Sequence, residues 1–171
     1  MKSNQANISL LLVLAIALFV TAGCGGEQRP DGLPPTYPLS VTVLQEGQPL
    51  GDATVVFHSV DATLNWAIGG VTDATGVAKM FTHGKFAGVP EGNYNVTVSK
   101  IIEEGAAEYY AAVESGDTDA ARRIEVNVWQ LVGDEYTQPG RTPIKVEIKR
   151  DTRTLEVDAG PVVRIRREFL R

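Results

Sequence analysis

The sequence has one cysteine, two histidines and fewer basic than acidic residues. Its 171 residues hold 16 Lys and Arg against 21 Asp and Glu, a formal net charge of −5. One cysteine excludes an internal disulfide framework and any Cys-x-x-Cys metal or redox site. Two histidines leave little for a histidine-based metal centre. Because phosphate binding needs a cationic face, the negative charge argues against nucleic acid as a partner. We therefore expect no metal and no cofactor.

The N-terminal segment has the composition of an export signal. Lys2 is the only charged residue before an apolar run from Ile8 to Val20. That run is shorter than the ~20 residues that a membrane-spanning helix needs, and it suits the apolar region of a secretory signal. Small residues at 21–23 then precede Cys24. An ordinary secretory signal with an incidental cysteine, or an uncleaved anchor, is the alternative.

The segment that ends at Cys24 resembles a bacterial lipobox, in which lipid is attached to the cysteine thiol and the chain is cut just before it. Thr21 stands where the motif usually has Leu. The resemblance implies a signal peptide over 1–23 and a membrane anchor on Cys24, which would hold the domain at the bacterial cell envelope, outside the cytoplasm. Several acyl chains give stable anchoring, since each buried methylene contributes ~0.8 kcal/mol. No Asp follows the cysteine, and by analogy this favours the outer membrane.

Residues 25–38 read GGEQRPDGLPPTYP, with many Gly and Pro and hardly any apolar residue. This composition disfavours a helix or an inner strand. It predicts that 24–38 comprises the lipidated cysteine and a spacer, and that the folded domain covers 39–171.

From Leu39 onwards the hydrophobic period is two, which is typical of strands with one buried and one solvated face. Gly- and Asp-containing turns separate these segments. The pattern predicts an all-β fold, an antiparallel sandwich of two sheets. The clear segments are 39–43, 53–58, 94–99, 124–128, 144–149 and 154–158, and the weaker ones are 66–72 and 77–81.

One segment interrupts the alternation. Residues 102–123 are rich in Ala and Glu and poor in β-branched residues. This composition predicts a short helical insertion near 103–123, with a helix over 106–113 and a second turn or helix over 118–123 that begins near Asp117.

Three motifs within residues 38–100 carry a resemblance. The run 41–57 reads VTVLQEGQPLGDATVVF, the run 71–76 reads VTDATG, and the run 89–98 reads VPEGNYNVTV. In this order they resemble the carboxypeptidase regulatory-like domain, which has Gly-x-Pro-Leu, Thr-Asp-x-x-Gly and Pro-x-Gly-x-Tyr-x-Val-x-Val at these points. The pattern is similar to that of small bacterial lipoproteins with a Gly- and Pro-rich spacer. The resemblance implies a transthyretin-like, Ig-like sandwich of about seven strands and a non-catalytic role.

Candidate catalytic groups are few. There is no Gly-x-Ser-x-Gly elbow, and only His58 and His83 are available as histidine ligands. Paired carboxylates occur at 103–104, at 117 and 119, and at 134–135, and we interpret them as solvated loop charges. We predict that the chain is not an enzyme and has no catalytic residue. A small hydrolase or metal-dependent enzyme on a transthyretin-like scaffold is the third hypothesis.

The leading hypothesis is a lipid-anchored, non-catalytic binding or structural module of the cell envelope, with an envelope protein or polysaccharide as partner. The alternative is a carbohydrate-binding accessory domain at the cell surface, with Trp66 and Trp129 as a sugar-stacking platform; burial of both rings is the simpler interpretation. The basic C-terminus predicts a last strand with a solvated arginine face, or an arm that docks on an acidic polymer. It contains Val163, Arg164, Ile165, Arg166, Arg167 and Arg171.

Overall fold

A computed structural model describes residues 29–168 of the chain. The signal peptide predicted over 1–23, the lipidation predicted at Cys24 and the last arginine, Arg171, lie outside the described residues. Contacts divide the chain after Leu33. Just before that point, the Leu33 amide donates to the Pro30 carbonyl at 3.2 Å, which closes a turn.

The chain after Leu33 is mostly β, as the alternation predicts. Its strands are β1 (Thr36–Tyr37), β2 (Ser40–Gln45), β3 (Gln48–Pro49), β4 (Thr54–Ser59), β5 (Ile68–Val71), β6 (Val77–Lys79), β7 (Phe81–Thr82), β8 (Phe86–Ala87), β9 (Val89–Pro90), β10 (Gly92–Ser99), β11 (Ile101–Glu104), β12 (Asn127–Gln130), β13 (Lys145–Ile148), β14 (Thr154–Asp158) and β15 (Ile165–Arg167). The helices are α1 (Ala106–Glu114), α2 (Thr118–Arg123) and α3 (Asp134–Thr137). These strands are shorter and more numerous than the seven that the resemblance implies.

Two sheets share one core. The larger has the antiparallel order β13-β10-β4-β5-β7-β8, and the other has the order β14-β2-β3 with β6 also paired to β2. A two-stranded sheet, β1-β9, and a three-stranded sheet, β11-β12-β15, complete the pairing of the described chain. A single apolar cluster contains residues of both larger sheets, which confirms the all-β, sandwich-like fold.

The core follows from the alternation. Val41 and Val43 of β2 are fully buried, as are Val55 and Phe57 of β4. The residues between them point away from the core. In β13, Ile148 is buried and Val146 packs against the cluster, as does Ile144 just before the strand, as predicted for the segment 144–149.

One pair of strands runs against the prediction. β14 pairs with β2 in parallel, with Val157 opposite Val43, whereas the sequence predicted an antiparallel sandwich throughout. The alternation of buried and exposed residues in β14 is the same whether the strand pairs in parallel or antiparallel. The direction depends on the preceding turn, which carries the chain from β13 in one sheet to β14 in the other.

The segment predicted as one strand over 77–81 forms two. β6 pairs with β2 in one sheet, and β7 pairs with β5 in the other. Met80 lies between them and is 2% exposed. The chain therefore changes sheet at a buried corner, which a period of two does not reveal.

The helical insertion is confirmed and starts later than expected. α1 and α2 match the predicted helices, and the Asp117 carboxylate caps α2 by accepting from the Ala120 amide at 2.9 Å. Residues 101–104, however, form strand β11. The strand predicted over 124–128 starts only at Asn127, because α2 extends to Arg123 and the Ile124 amide still donates to the Ala121 carbonyl.

Candidate functional site

An open groove lies on the outer face of the six-stranded sheet. β4 turns Val55 and Phe57 inward, so Val56 and His58 face outward on the same strand. Across the sheet, Val56 lies opposite Gly69 on one side and Thr97 on the other. Gly69 adds no side chain to this face of the sheet, and Val56 and His58 line the groove.

The β4–β5 loop, residues 60–67, forms one wall of the groove. Its Asp61 carboxylate accepts from the Thr63 amide at 2.9 Å and from the Thr63 hydroxyl at 2.8 Å, a turn typical of Asp. These hydrogen bonds, the backbone one first, lower the pKa of Asp61. The turn leads to Trp66, which is half-buried and packs against the edge of the core cluster.

His83 also lines the groove, beside Trp66. It follows β7 in a left-handed conformation, φ 57°, which His tolerates better than most residues. Its amide donates to the Ala67 carbonyl at 2.6 Å. The His83 imidazole packs edge to face against the Trp66 indole, with ring centroids 5.3 Å apart. Aromatic pairs prefer this geometry.

We call this space the histidine groove. It has a volume of about 710 Å³ and is lined by Val56, His58, Ser59, Asn65, Trp66 and His83 together with neighbouring residues. That volume falls within the ~300–1,000 Å³ of small-molecule sites. An aromatic wall beside amide, hydroxyl and imidazole groups offers an apolar face and several hydrogen-bonding partners to one ligand.

His58 supplies the polar floor of the groove. Its Nε2 lies 2.9 Å from the Thr97 hydroxyl oxygen. Burial lowers the pKa of His58, because desolvation disfavours the charged imidazolium. Burial therefore favours the neutral imidazole, in which one nitrogen donates and the other accepts.

The structure brings both histidines to one groove and separates the two tryptophans. Trp129 is on β12 in the three-stranded sheet, where its indole N–H donates to the Glu104 carboxylate at 2.8 Å. The Arg164 guanidinium lies 4.3 Å from the Trp129 ring centroid. Trp66 therefore lies in the β4–β5 loop and Trp129 in the three-stranded sheet, with Arg164 over the Trp129 ring, an arrangement that does not support a sugar platform shared by the two rings.

The paired carboxylates have separate local roles. Glu104 binds Trp129 and Arg164, while Asp117 caps α2. Asp119 pairs with Arg122 at 3.7 Å, and the exposed Asp134 side chain binds Arg167. Between residues 29 and 168, no three His, Cys, Asp or Glu side chains are grouped closely enough to hold a metal ion.

The basic C-terminus forms the predicted last strand, β15, against β12. Its arginines bind acidic groups of the same chain. Arg164 meets Glu104 at 2.5 Å, Arg166 meets Glu125 at 3.0 Å, and Arg167 binds both Asp134 and the Gln130 side chain. These pairs engage Arg164, Arg166 and Arg167 within the fold.

Comparison of the chain with protein-family models, curated proteins and solved structures finds no match. In the part of the chain that the structure describes, no helix is both long and apolar enough to cross a membrane. The sequence alone does not indicate the histidine groove, since His58 lies on β4 and His83 in the turn after β7. The available signal was the alternation in β4, which turns His58 to the outer face of the sheet.

Proposed function

We propose that this chain is a non-catalytic binding module of the bacterial cell envelope, anchored by lipid on Cys24, and that the histidine groove is its ligand site. We also propose that the domain belongs with the carboxypeptidase regulatory-like domains of small bacterial lipoproteins. The three motifs at 41–57, 71–76 and 89–98 support that assignment. So does the sandwich-like arrangement of the described strands.

The observation that carries the binding role is the convergence of both histidines and Trp66 on one groove. Both histidines of the chain and one of its two tryptophans line this groove. A wall of aromatic rings and a floor that donates and accepts hydrogen bonds suit a small polar ligand with a flat apolar face. The groove lies outside the core cluster, so a ligand can enter it without opening the fold.

The anchor rests on the apolar run 8–20 and the lone Cys24 that follows small residues. Intact mass and N-terminal peptide analysis of the chain purified from membranes would test it. We expect a chain that begins at Cys24 and carries added acyl mass, and a Cys24→Ala variant that is no longer processed at this point. An unmodified chain in the membrane fraction would contradict the proposal.

Tryptophan fluorescence can test the binding role, because the chain has two tryptophans and only Trp66 lies in the groove. In Trp129→Phe, all indole emission reports the groove. In the matched control Trp66→Phe, all emission comes from Trp129. We expect low-molecular-mass fractions of a cell-envelope extract to change the emission of Trp129→Phe in a saturable way and to leave Trp66→Phe unchanged. Equal responses, or none, would contradict the proposal.

A carbohydrate ligand is the second candidate. The half-buried Trp66 ring beside the Asn65 amide favours it, since aromatic faces and neighbouring polar groups suit ring-shaped polyols. Soluble fragments of envelope polysaccharide, added to Trp129→Phe, would separate this candidate from other ligands. Saturable quenching by the fragments alone would support it.

A further inference from the structure

A second, smaller cavity lies where the start of β2, the end of β6 and the start of β14 lie side by side. Ser40 at the start of β2 is opposite Lys79 of β6. On its other side, the Ser40 amide donates to the Arg153 carbonyl at 3.0 Å. We call this cavity the Met80 cleft; its volume is about 280 Å³, and it shares no lining residue with the histidine groove.

The floor and the walls of the Met80 cleft are apolar. Leu39 and Met80 are 4% and 2% exposed and form the floor, and the Met80 amide holds the two segments together by donating to the Leu39 carbonyl at 3.0 Å. Phe81, which is 37% exposed, and Ala87 contribute to the walls. The volume is close to the ~300 Å³ lower bound for ligand pockets, so the occupant must be small.

The charged side chains that line the cleft are both cations, Lys79 and Arg153. The Arg153 guanidinium donates to the carbonyls of Arg150 at 2.6 Å and Thr152 at 3.2 Å, which fixes its position. None of the lining residues is acidic. Lys79 also attracts the Asp73 carboxylate, which accepts from the Thr75 hydroxyl at 2.6 Å.

Two cations therefore lie beside an apolar floor, with no acidic residue among the lining residues. The apolar floor favours an aliphatic or aromatic body, and the lysine and arginine favour an anionic head on the same molecule. Arg in particular presents a planar set of donors that matches a carboxylate. We propose that the Met80 cleft binds a small organic carboxylate with a short apolar body, its carboxylate between Lys79 and Arg153 and its body over Leu39 and Met80.

Saturation-transfer NMR on the full chain in detergent micelles tests this site with three probes. Hexanoate has both features of the proposed ligand, hexan-1-ol has only the apolar body, and acetate has only the carboxylate. We expect saturable binding of hexanoate, with an affinity at least tenfold higher than that of either other probe. Equal affinity for hexan-1-ol or for acetate, or no saturable binding of hexanoate, would overturn the proposal.

A pair of double variants locates the binding. Lys79→Gln with Arg153→Gln removes both cations of the cleft. Arg122→Gln with Arg141→Gln removes the same charge elsewhere on the surface. We expect the first pair to weaken hexanoate binding at least tenfold and the second to leave it unchanged. An equal loss in both pairs, or no loss in the first, would overturn the assignment. Where the first pair shifts the thermal unfolding midpoint, Phe81→Ala provides a second test, and unchanged hexanoate binding in that variant would also overturn it.

Discussion

The His58 imidazole and the Thr97 hydroxyl lie 2.9 Å apart on neighbouring strands, β4 and β10, at the floor of the histidine groove. Both residues point away from the core, although Thr97 is only 7% exposed. The contact fixes the orientation of the ring and places it where desolvation opposes protonation. The groove therefore contains a histidine that the fold keeps neutral.

This contact predicts the titration of His58. Burial lowers its pKa below 6.5, so the folded chain binds this proton less tightly than the unfolded chain does. The unfolding free energy should therefore fall as the pH drops through 6.5, because the unfolded state gains the proton first. Imidazole signals in NMR would give the pKa directly, and urea unfolding at several pH values would give the slope. His58→Gln should flatten that slope; a pKa at or above 6.5 would contradict the interpretation.

Tyr94 is the largest fully buried side chain of the core, and its hydroxyl donates to the Pro90 carbonyl at 2.9 Å. Its ring meets Phe57 edge to face at 5.6 Å. Tyr94→Phe keeps the ring and removes the donor, so we expect the unfolding free energy to fall by about 1–2 kcal/mol. Urea denaturation would measure the change. Tyr110→Phe, at a ring that is 53% exposed, is the control and should change it by less than about 0.5 kcal/mol.

The same residue predicts the behaviour of the chain in alkali. Burial raises the pKa of Tyr94 to about 12, from a usual value of 10.0. Since the unfolded state loses this proton first, the stability that depends on Tyr94 is complete below pH 10 and is lost between pH 10 and 12. Ultraviolet absorbance should show a late-ionising tyrosine that is missing in Tyr94→Phe. Ionisation of Tyr94 near pH 10 would contradict this interpretation.

Gln45 connects β2 to two distant segments. Its side-chain amide is 5% exposed and donates to the Leu131 carbonyl at 2.9 Å and to the Pro161 carbonyl at 3.1 Å. Gln45→Ala leaves both carbonyls without this donor, so we expect a loss of about 1–3 kcal/mol in unfolding free energy. Gln48→Ala, at an exposed residue of β3, should have almost no effect. Similar losses of unfolding free energy in the two variants would show that the hydrogen bonds of Gln45 do not stabilise the fold.

The arginine pairs that hold β15 are exposed, and this predicts a dependence on salt. The Arg164–Glu104 side chains are 54% and 51% exposed, and those of Arg166–Glu125 are 62% and 73% exposed. Such pairs contribute about 0.2–1 kcal/mol each. At 1 M salt the screening length shortens to ~3 Å. Hydrogen exchange of the β15 amides should therefore accelerate at 1 M NaCl, while exchange in β10 stays constant. Arg164→Gln with Arg166→Gln should remove most of this salt dependence.

The sequence predicts those strands that bury one face in the shared core. In β13, Val146 and Ile148 alternate with Lys145 and Glu147, and in β4, Val55 and Phe57 lie between the outward-facing Thr54, Val56 and His58, because one side of each strand faces the core. β11 is not predicted, because it does not bury one face in the core. Its residues, Ile101–Glu104, are exposed or half-buried throughout, so no alternation marks them. The parallel pairing of β14 with β2 cannot be predicted either, because the hydrophobic alternation does not depend on strand direction.

The histidine groove depends on geometry that a period of two does not encode. His58 faces outward by alternation, but the approach of His83 depends on its left-handed backbone and on the bond from its amide to Ala67. The position of Trp66 follows from the turn at Asp61. Each of these local features contributes to the groove only after β4, β5 and β7 have paired in one sheet.

The most direct test of the groove is imidazole NMR on the full chain labelled with ¹⁵N-histidine, because its two histidines both line the groove. The probe is the envelope-extract fraction that changes the emission of Trp129→Phe. We predict that both imidazoles shift with the same saturation curve, and that Trp66→Phe abolishes both shifts. Unchanged imidazole signals in the presence of a fraction that does bind the chain would contradict the assignment of the histidine groove as its ligand site.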